Sequence, residues 1–261
     1  MILQKFKPLL LLVAGAFCLS PLHVIAAPEA SEDHAWHVEI APYLWALNMN
    51  GSVQIANQRA PVNQNFSDIL SQLNWAGMLW ADAHKDKFGI FANALYASLS
   101  NSANDQTISA HVNNTFKLYS AGVSYQVYAT EHRTFTIEPY VGARYTANDV
   151  QLTVSSPVSV RGSDNQSWTD PILGARFNFN LSKAWLLNLA GDIGGTNTTT
   201  DYSYNAIGLV GYKPQTMWKI TTWYIGYRLL GQHYVTGSGN NTFDWDMKLH
   251  GVLGGVSFAL Y

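Results

Sequence analysis

The stretch TFTIEPYVGARYTAN, from Thr134 to Asn148, separates into two residue sets with almost no exceptions. Phe135, Ile137, Pro139, Val141, Ala143, Tyr145 and Ala147 alternate with Thr136, Glu138, Tyr140, Gly142, Arg144 and Thr146. One face is greasy, and the other carries a carboxylate, a guanidinium and small residues. A strict period of two describes a β-strand, and its length matches the roughly 9–11 residues that a tilted strand needs to cross a bilayer's hydrocarbon.

Four further segments repeat the pattern. Tyr119, Ala121, Val123, Tyr125 and Val127 oppose Ser120, Gly122, Ser124 and Gln126; Leu173, Ala175, Phe177 and Phe179 oppose Gly174, Arg176, Asn178 and Asn180. Trp185, Leu187, Leu189, Gly191 and Ile193 oppose Asn188, Ala190 and Asp192, while Trp223, Ile225, Tyr227 and Leu229 oppose Tyr224, Gly226 and Arg228. The run from Phe88 to Ser100 is apolar on both faces, so its phase stays open.

Composition decides what such faces meet. Charged residues make up 12% of the chain and aromatic residues 13%; soluble domains carry roughly 25% charge. A β-sandwich with solvated outer faces needs more charge than this. Beyond the N-terminus no apolar run approaches the ~20 residues of a spanning helix, and a closed β-barrel is the other structure that satisfies its own backbone in lipid.

The first residues read as a secretory signal over 1–26. Lys5 and Lys7 precede an apolar run, Leu9 to Leu19, and Ala26 and Ala27 suit cleavage. Residues 27–35 are then a short periplasmic segment, and residues 36–261 are the barrel. Cys18, the single cysteine, falls within the signal, so packing and backbone pairing alone must hold the mature chain. Without Lys5 and Lys7, 13 basic residues face 17 acidic ones, with no basic patch for nucleic acid.

Ten strand-like segments are expected, near 36–48, 74–85, 88–100, 113–128, 134–149, 167–181, 184–196, 202–213, 217–233 and 242–261, with eight or twelve as alternatives. Tight connections at 86–87, 130–133, 182–183 and 214–216 alternate with long polar ones at 48–73, 101–112, 150–166, 197–201 and 235–241. Short periplasmic turns and long extracellular loops mark an up-and-down transmembrane barrel of a Gram-negative outer membrane. Trp36, Trp75, Trp168, Trp185, Trp218 and Trp245, with Tyr128, Tyr202, Tyr204 and Tyr212, cluster near strand ends as interfacial girdles do. In the last strand, counting back by twos from Tyr261 through Leu253, Leu249, Met247 and Trp245 gives the expected lipid face, with Tyr261 as an insertion signal. The opposite phase carries Phe258, Val256, His250, Lys248, Asp246 and Asp244.

The residues also resemble a family. Glu39 with Pro42-Tyr43-Leu44-Trp45, the run Phe66-Ser67-Asp68-Ile69-Leu70, Gly142-Ala143-Arg144-Tyr145, the run from Asp170 to Arg176, Gly226-Tyr227-Arg228 and the run from Met247 to Gly251 are similar to a widespread set of proteobacterial outer-membrane, porin-like barrels. The resemblance spans the mature chain. It implies location and fold, and it implies no reaction. The Asn- and Thr-rich loops and Leu230 to His233 depart from the family pattern.

With the greasy faces toward lipid, Glu39, Glu138, Arg144, Asp170, Arg176, Asp192, Arg228 and Lys248 are expected in the lumen. A small barrel fills its interior with side chains, so these charges read first as an ion-pair network and second as a narrow passage for ions or small polar solutes. A structural or narrow porin-like, non-enzymatic barrel is the primary expectation. A rim hydrolase acting on peptide or lipid A is the first alternative, with His233, Asp244, Asp246 and His250 as candidates and Asp82 and His84 at the periplasmic end. A surface adhesin acting through its loops is the second. Scattered His34, His37, His111 and His132 form no metal signature, and no cofactor motif occurs. The expected partners are outer-membrane lipid, lipopolysaccharide and the insertion machinery. The apolar spacing of 66–73 suits a short amphipathic helix with Ser67 as N-cap, packing across the barrel mouth in preference to plugging it.

Overall fold

The structure, a computed structural model, describes residues 35–55, 58–105, 108–156, 158–195, 200–215 and 220–260. The signal at 1–26, Cys18, Trp218 and Tyr261 lie outside the described residues. The elements in chain order are β1 (His37–Ile55), β2 (Gln58–Gln64), α1 (Phe66–Gln72), β3 (Leu73–Lys85), β4 (Phe88–Asp105), β5 (Ile108–Tyr125), β6 (Tyr128–Ala129), β7 (Phe135–Ser156), β8 (Val158–Asn180), β9 (Trp185–Gly194), β10 (Tyr202–Tyr212), β11 (Thr221–Thr236) and β12 (Phe243–Leu260). Ten of the strands close into an antiparallel barrel, and β2 and β6 are short additions to its wall.

Closure is made by the first and last strands, whose register runs from Val38↔Leu260 to Ile55↔Phe243. Every other neighbour pair is consecutive in sequence once β2 and β6 are set aside. This order needs only hairpins. At the tight end Asp86 takes a left-handed φ of 55° between Lys85 and Phe88, which pair directly across the turn; aspartate tolerates that backbone well.

The strands run well past the hydrocarbon at the other end. From Phe135 to Tyr145 is ~33 Å along the strand, or roughly 25 Å of height at a typical barrel tilt. Beyond Tyr145, β7 continues to Ser156, paired with β8 as far as Ser156↔Val158, and β4 and β5 likewise pair out to Asp105↔Ile108. The segments 101–112 and 150–166, expected as loops, are therefore mostly hairpin. Outside lipid both faces of a strand meet water, so no hydropathic alternation announces it. The Gly51–Ile55 extension pairs with Gln58–Val62 as a hairpin above the first strand.

One interval of the wall is built differently. The β1–β3 ladder holds six pairs and ends at Pro42↔Leu79. Pro42 has no N–H to donate, and the Leu79 carbonyl accepts from the Asn93 amide at 3.1 Å. Beyond this point β1 turns to β2, and α1 lies against β1 and β4 with Ile69 buried in the apolar core. The helix is where the sequence places it, but its N-cap is Asn65 and not Ser67. Asn65 Oδ1 accepts from the Asp68 amide at 3.1 Å, and Asp68 Oδ2 accepts from the Asn65 amide at 3.1 Å, a reciprocal capping box.

The alternation seen in the sequence holds on β5, β7, β8, β9 and β11. Val141, Leu173, Ile193, Trp223 and Ile225 face outward, each more than half exposed. On β4 the structure selects a phase, with Phe91, Asn93, Leu95, Ala97 and Leu99 inward. On β12 it reverses the expected one: Trp245, Met247, Leu249 and Leu253 are buried inside, whereas Val252, Phe258 and Leu260 face out. Trp168 and Trp245 accordingly belong to the interior and not to the girdle.

Two predictions follow the geometry of closure. Ala46 and Val252 are cross-strand partners on the terminal strands, so Ala46→Cys with Val252→Cys should form a disulfide in the folded protein, read as a mobility shift reversed by reductant. Asn65→Ala should loosen α1 by about 1 kcal/mol, read as faster amide exchange over residues 66–72 with the barrel ladder unchanged.

Candidate functional site: the lumen

The lumen has two sides. The wall formed by β7 to β11 supplies most of the buried charge, and the wall formed by β12, β1, β3, β4 and β5 supplies most of the buried apolar and aromatic side chains, with Glu39 of β1 and Asp82 and His84 of β3 as charged exceptions near the periplasmic end. Arg176 and Arg228 project from the first side onto ring faces of the second. The Arg176 guanidinium lies 4.7 Å from the Phe91 ring centre and 5.3 Å from that of Trp80, while Arg228 lies 4.1 Å from Trp45. A guanidinium suits this position because it is weakly hydrated and stacks on aromatic faces.

Near the periplasmic end, His84 lies between two carboxylates, with Nδ1 on Asp82 and Nε2 2.7 Å from Glu138. Arg176 donates to Asp82 at 3.0 Å and approaches Glu138 at 3.4 Å, and the Ser124 hydroxyl also donates to Glu138. Glu39, opposite Asp82 in register, is on the same side of the wall. Lys213, in the turn after β10, faces it; burial holds the ammonium below its usual range while Glu39 pulls it back up.

At mid-height Asp192 is the hub. It accepts from Arg144 at 2.5 Å, from the Tyr140 hydroxyl at 3.0 Å and from the Asn205 amide at 2.8 Å. Asn205 in turn accepts from Arg228 Nε at 3.0 Å, and Arg144 also donates to Ser203 at 2.8 Å. Further out, Gln232 bridges Asp170 at 3.3 Å and Thr146 at 3.1 Å. Arg144, Asp170 and Arg228 show no exposed surface. Charges this deep are tolerable only when paired and hydrogen-bonded.

Seven of the eight charges assigned to the lumen point inward. Lys248 is the correction: it is exposed on the outer surface, because the apolar side of the lumen claims the opposite set of β12 residues. The same reversal moves Asp244, Asp246 and His250 to the outer wall. There His250 lies between the Tyr227 hydroxyl at 2.6 Å and Asn50 at 2.9 Å, and Asp246 accepts from Tyr202 at 2.7 Å. His233 bridges Asp201 at 3.0 Å and Asp244 at 3.3 Å, and Arg59 clamps Asp244 from β2. Both ring nitrogens of His233 are thus engaged by carboxylates. From the sequence, Asp82 and His84 stand apart from the lumen charges and Tyr140, Asn205 and Gln232 carry no assigned role; the inward phases of β3, β7, β10 and β11 are the signal that places them. Among the described residues no group of His, Cys, Asp or Glu could hold a metal ion.

No family model matches the chain, and no curated protein does. Among solved structures it is similar to the outer membrane protease OmpT from Escherichia coli, with a TM-score of 0.56 and 8% identity over 87% of this chain and 98% of that one. It also matches Ail, the attachment invasion locus protein of Yersinia pestis, with a TM-score of 0.33 and 9% identity over 86% of this chain and 98% of that one. A third match is Neisserial surface protein A, with a TM-score of 0.31 and 12% identity over 85% of this chain and 96% of that one. The likeness to OmpT is one of fold, the closed antiparallel β-barrel of an outer-membrane protein.

Asp192→Leu leaves Arg144 buried without its carboxylate, so it should cost about 3–5 kcal/mol in urea unfolding from lipid vesicles. Asp192→Leu combined with Arg144→Met should recover most of that loss, because the pair is removed together with its desolvation cost.

Proposed function

We propose that the protein is a Gram-negative outer-membrane barrel with a sealed lumen, a non-enzymatic wall element whose working surfaces are its outer rim and extended hairpins. The observation that carries this reading is the filled interior. Trp80, Arg144, Asp170, Arg228, Leu95, Phe116 and Trp245 are all without exposed surface, and they come from seven different strands, β3, β7, β8, β11, β4, β5 and β12. Rings of charge select ions only where a path remains open beside them. Here Asp192 is paired with Arg144, Asp82 and Glu138 lie on Arg176, the Gln232 amide caps Asp170, and the facing wall is packed with rings.

A rim hydrolase has less support. General base catalysis needs a ring nitrogen within reach of the substrate's proton, and His233 has carboxylates on both. The outward phase of Asp244, Asp246 and His250 also separates them from any lumen cleft. The likeness to the OmpT protease supports the barrel and carries no residue across.

Refolded wild-type protein in a planar bilayer should stay silent at protein loads where an open porin gives steps. Discrete conductance steps from the wild-type barrel would overturn the sealed-lumen reading. His233→Ala should leave the fold intact and alter no hydrolysis of peptide or lipid A.

A further inference from the structure

On the outer surface, where β4, β5, β7 and β8 run beyond the lipid, a polar groove of about 280 Å³ is bounded by Tyr96, Asn113, Thr115, Lys117, Asp149, Gln151 and Asn165. We propose that this groove binds the phosphorylated saccharide headgroup of lipopolysaccharide, an inference that rests on the outer-membrane reading above.

Its height selects the ligand. Tyr119 and Tyr145 are cross-strand partners whose rings stack at 6.2 Å, and they are the last aromatic pair of the outward face on β5 and β7 before the polar groups begin. Lys117 is two residues beyond Tyr119, at the level of phosphate groups. Gln151 is six residues beyond Tyr145, ~20 Å along the strand and roughly 15 Å above the rings after tilt. A phospholipid headgroup layer is only about 5–8 Å deep. A lipid that fills the whole groove must therefore carry sugars above its phosphate.

The chemistry fits such a molecule. Lys117 is opposite Ala147, whose side chain is buried, and its ammonium reaches Asp149 at 2.7 Å. That bond uses one of three ammonium donors, leaving two directions for phosphate oxygens. Asn113, Gln151 and Asn165 offer paired donors and acceptors, Asp149 and Thr115 add acceptors, and Tyr96 supplies an aromatic flank whose ring meets that of Trp75 at 5.3 Å. Amides and carboxylates beside an aromatic ring suit hydroxyls set around an apolar sugar face.

The test uses the refolded mature barrel in detergent micelles, with binding read from intrinsic tryptophan fluorescence or native mass spectrometry. Lipopolysaccharide should bind about tenfold more tightly than phosphatidylglycerol, and its lipid-free core oligosaccharide should compete. Lys117→Gln with Gln151→Ala should weaken lipopolysaccharide binding about tenfold, whereas Lys248→Gln on the opposite wall should leave it unchanged. Equal affinity for the groove variant, equal affinity for phosphatidylglycerol, or no competition by the oligosaccharide overturns the assignment. Fractionation of the producing cells separates the two failures: a barrel in the outer membrane with an insensitive groove defeats the groove alone, and a barrel found elsewhere defeats both.

Discussion

A backbone amide in hydrocarbon finds no water, so every strand that crosses must be hydrogen-bonded along both edges. That constraint makes the β12–β1 ladder the contact on which the rest depends. Once it closes, each side chain has only two destinations, lipid or lumen, and the low charge content of the chain becomes intelligible. Where the β1–β3 ladder stops at Pro42, β1 goes on to pair with β2, and α1 lies against β1 and β4. The capping box at Asn65 serves the same accounting, since it satisfies amides that a short helix leaves unpaired.

Closure then creates a second problem, because a barrel of this size has an interior that must be filled. The chain solves it with unlike sides. Guanidinium groups from β8 and β11 span the lumen to lie on Trp80, Phe91 and Trp45, so charge and aromatic surface are packed against each other and not segregated. Asp192 and Glu138 each gather several donors, which offsets the cost of removing them from water. The outcome is an interior filled by wall residues.

Much of this was legible without coordinates. The segment from Thr134 to Asn148 shows its lipid face outright, and the same holds for β5, β8, β9 and β11. Glu138, Arg144, Asp170, Arg176, Asp192 and Arg228 follow from that phase as inward charges. The reading failed where alternation carries no information about direction. On β12 both phases contain apolar residues, and the terminal aromatic suggested the wrong one; the apolar lumen wall takes Trp245, Met247 and Leu249, so Lys248 and His250 turn outward. Above the membrane the signal disappears altogether, which is why the hairpins of β4–β5 and β7–β8 resembled loops.

By itself, then, the sequence determined the class of fold and most of the inward charges, because lipid imposes a binary choice that alternation records directly, while ten strands stayed an expectation beside eight or twelve until the ladders were seen. Only the tertiary structure decided which carboxylate holds which guanidinium, that Asp82 and His84 join the lumen network, and that the rim histidines are on the outer wall. Those outcomes depend on the register between strands far apart in sequence and on which part of the lumen wall each strand occupies. No local pattern encodes either.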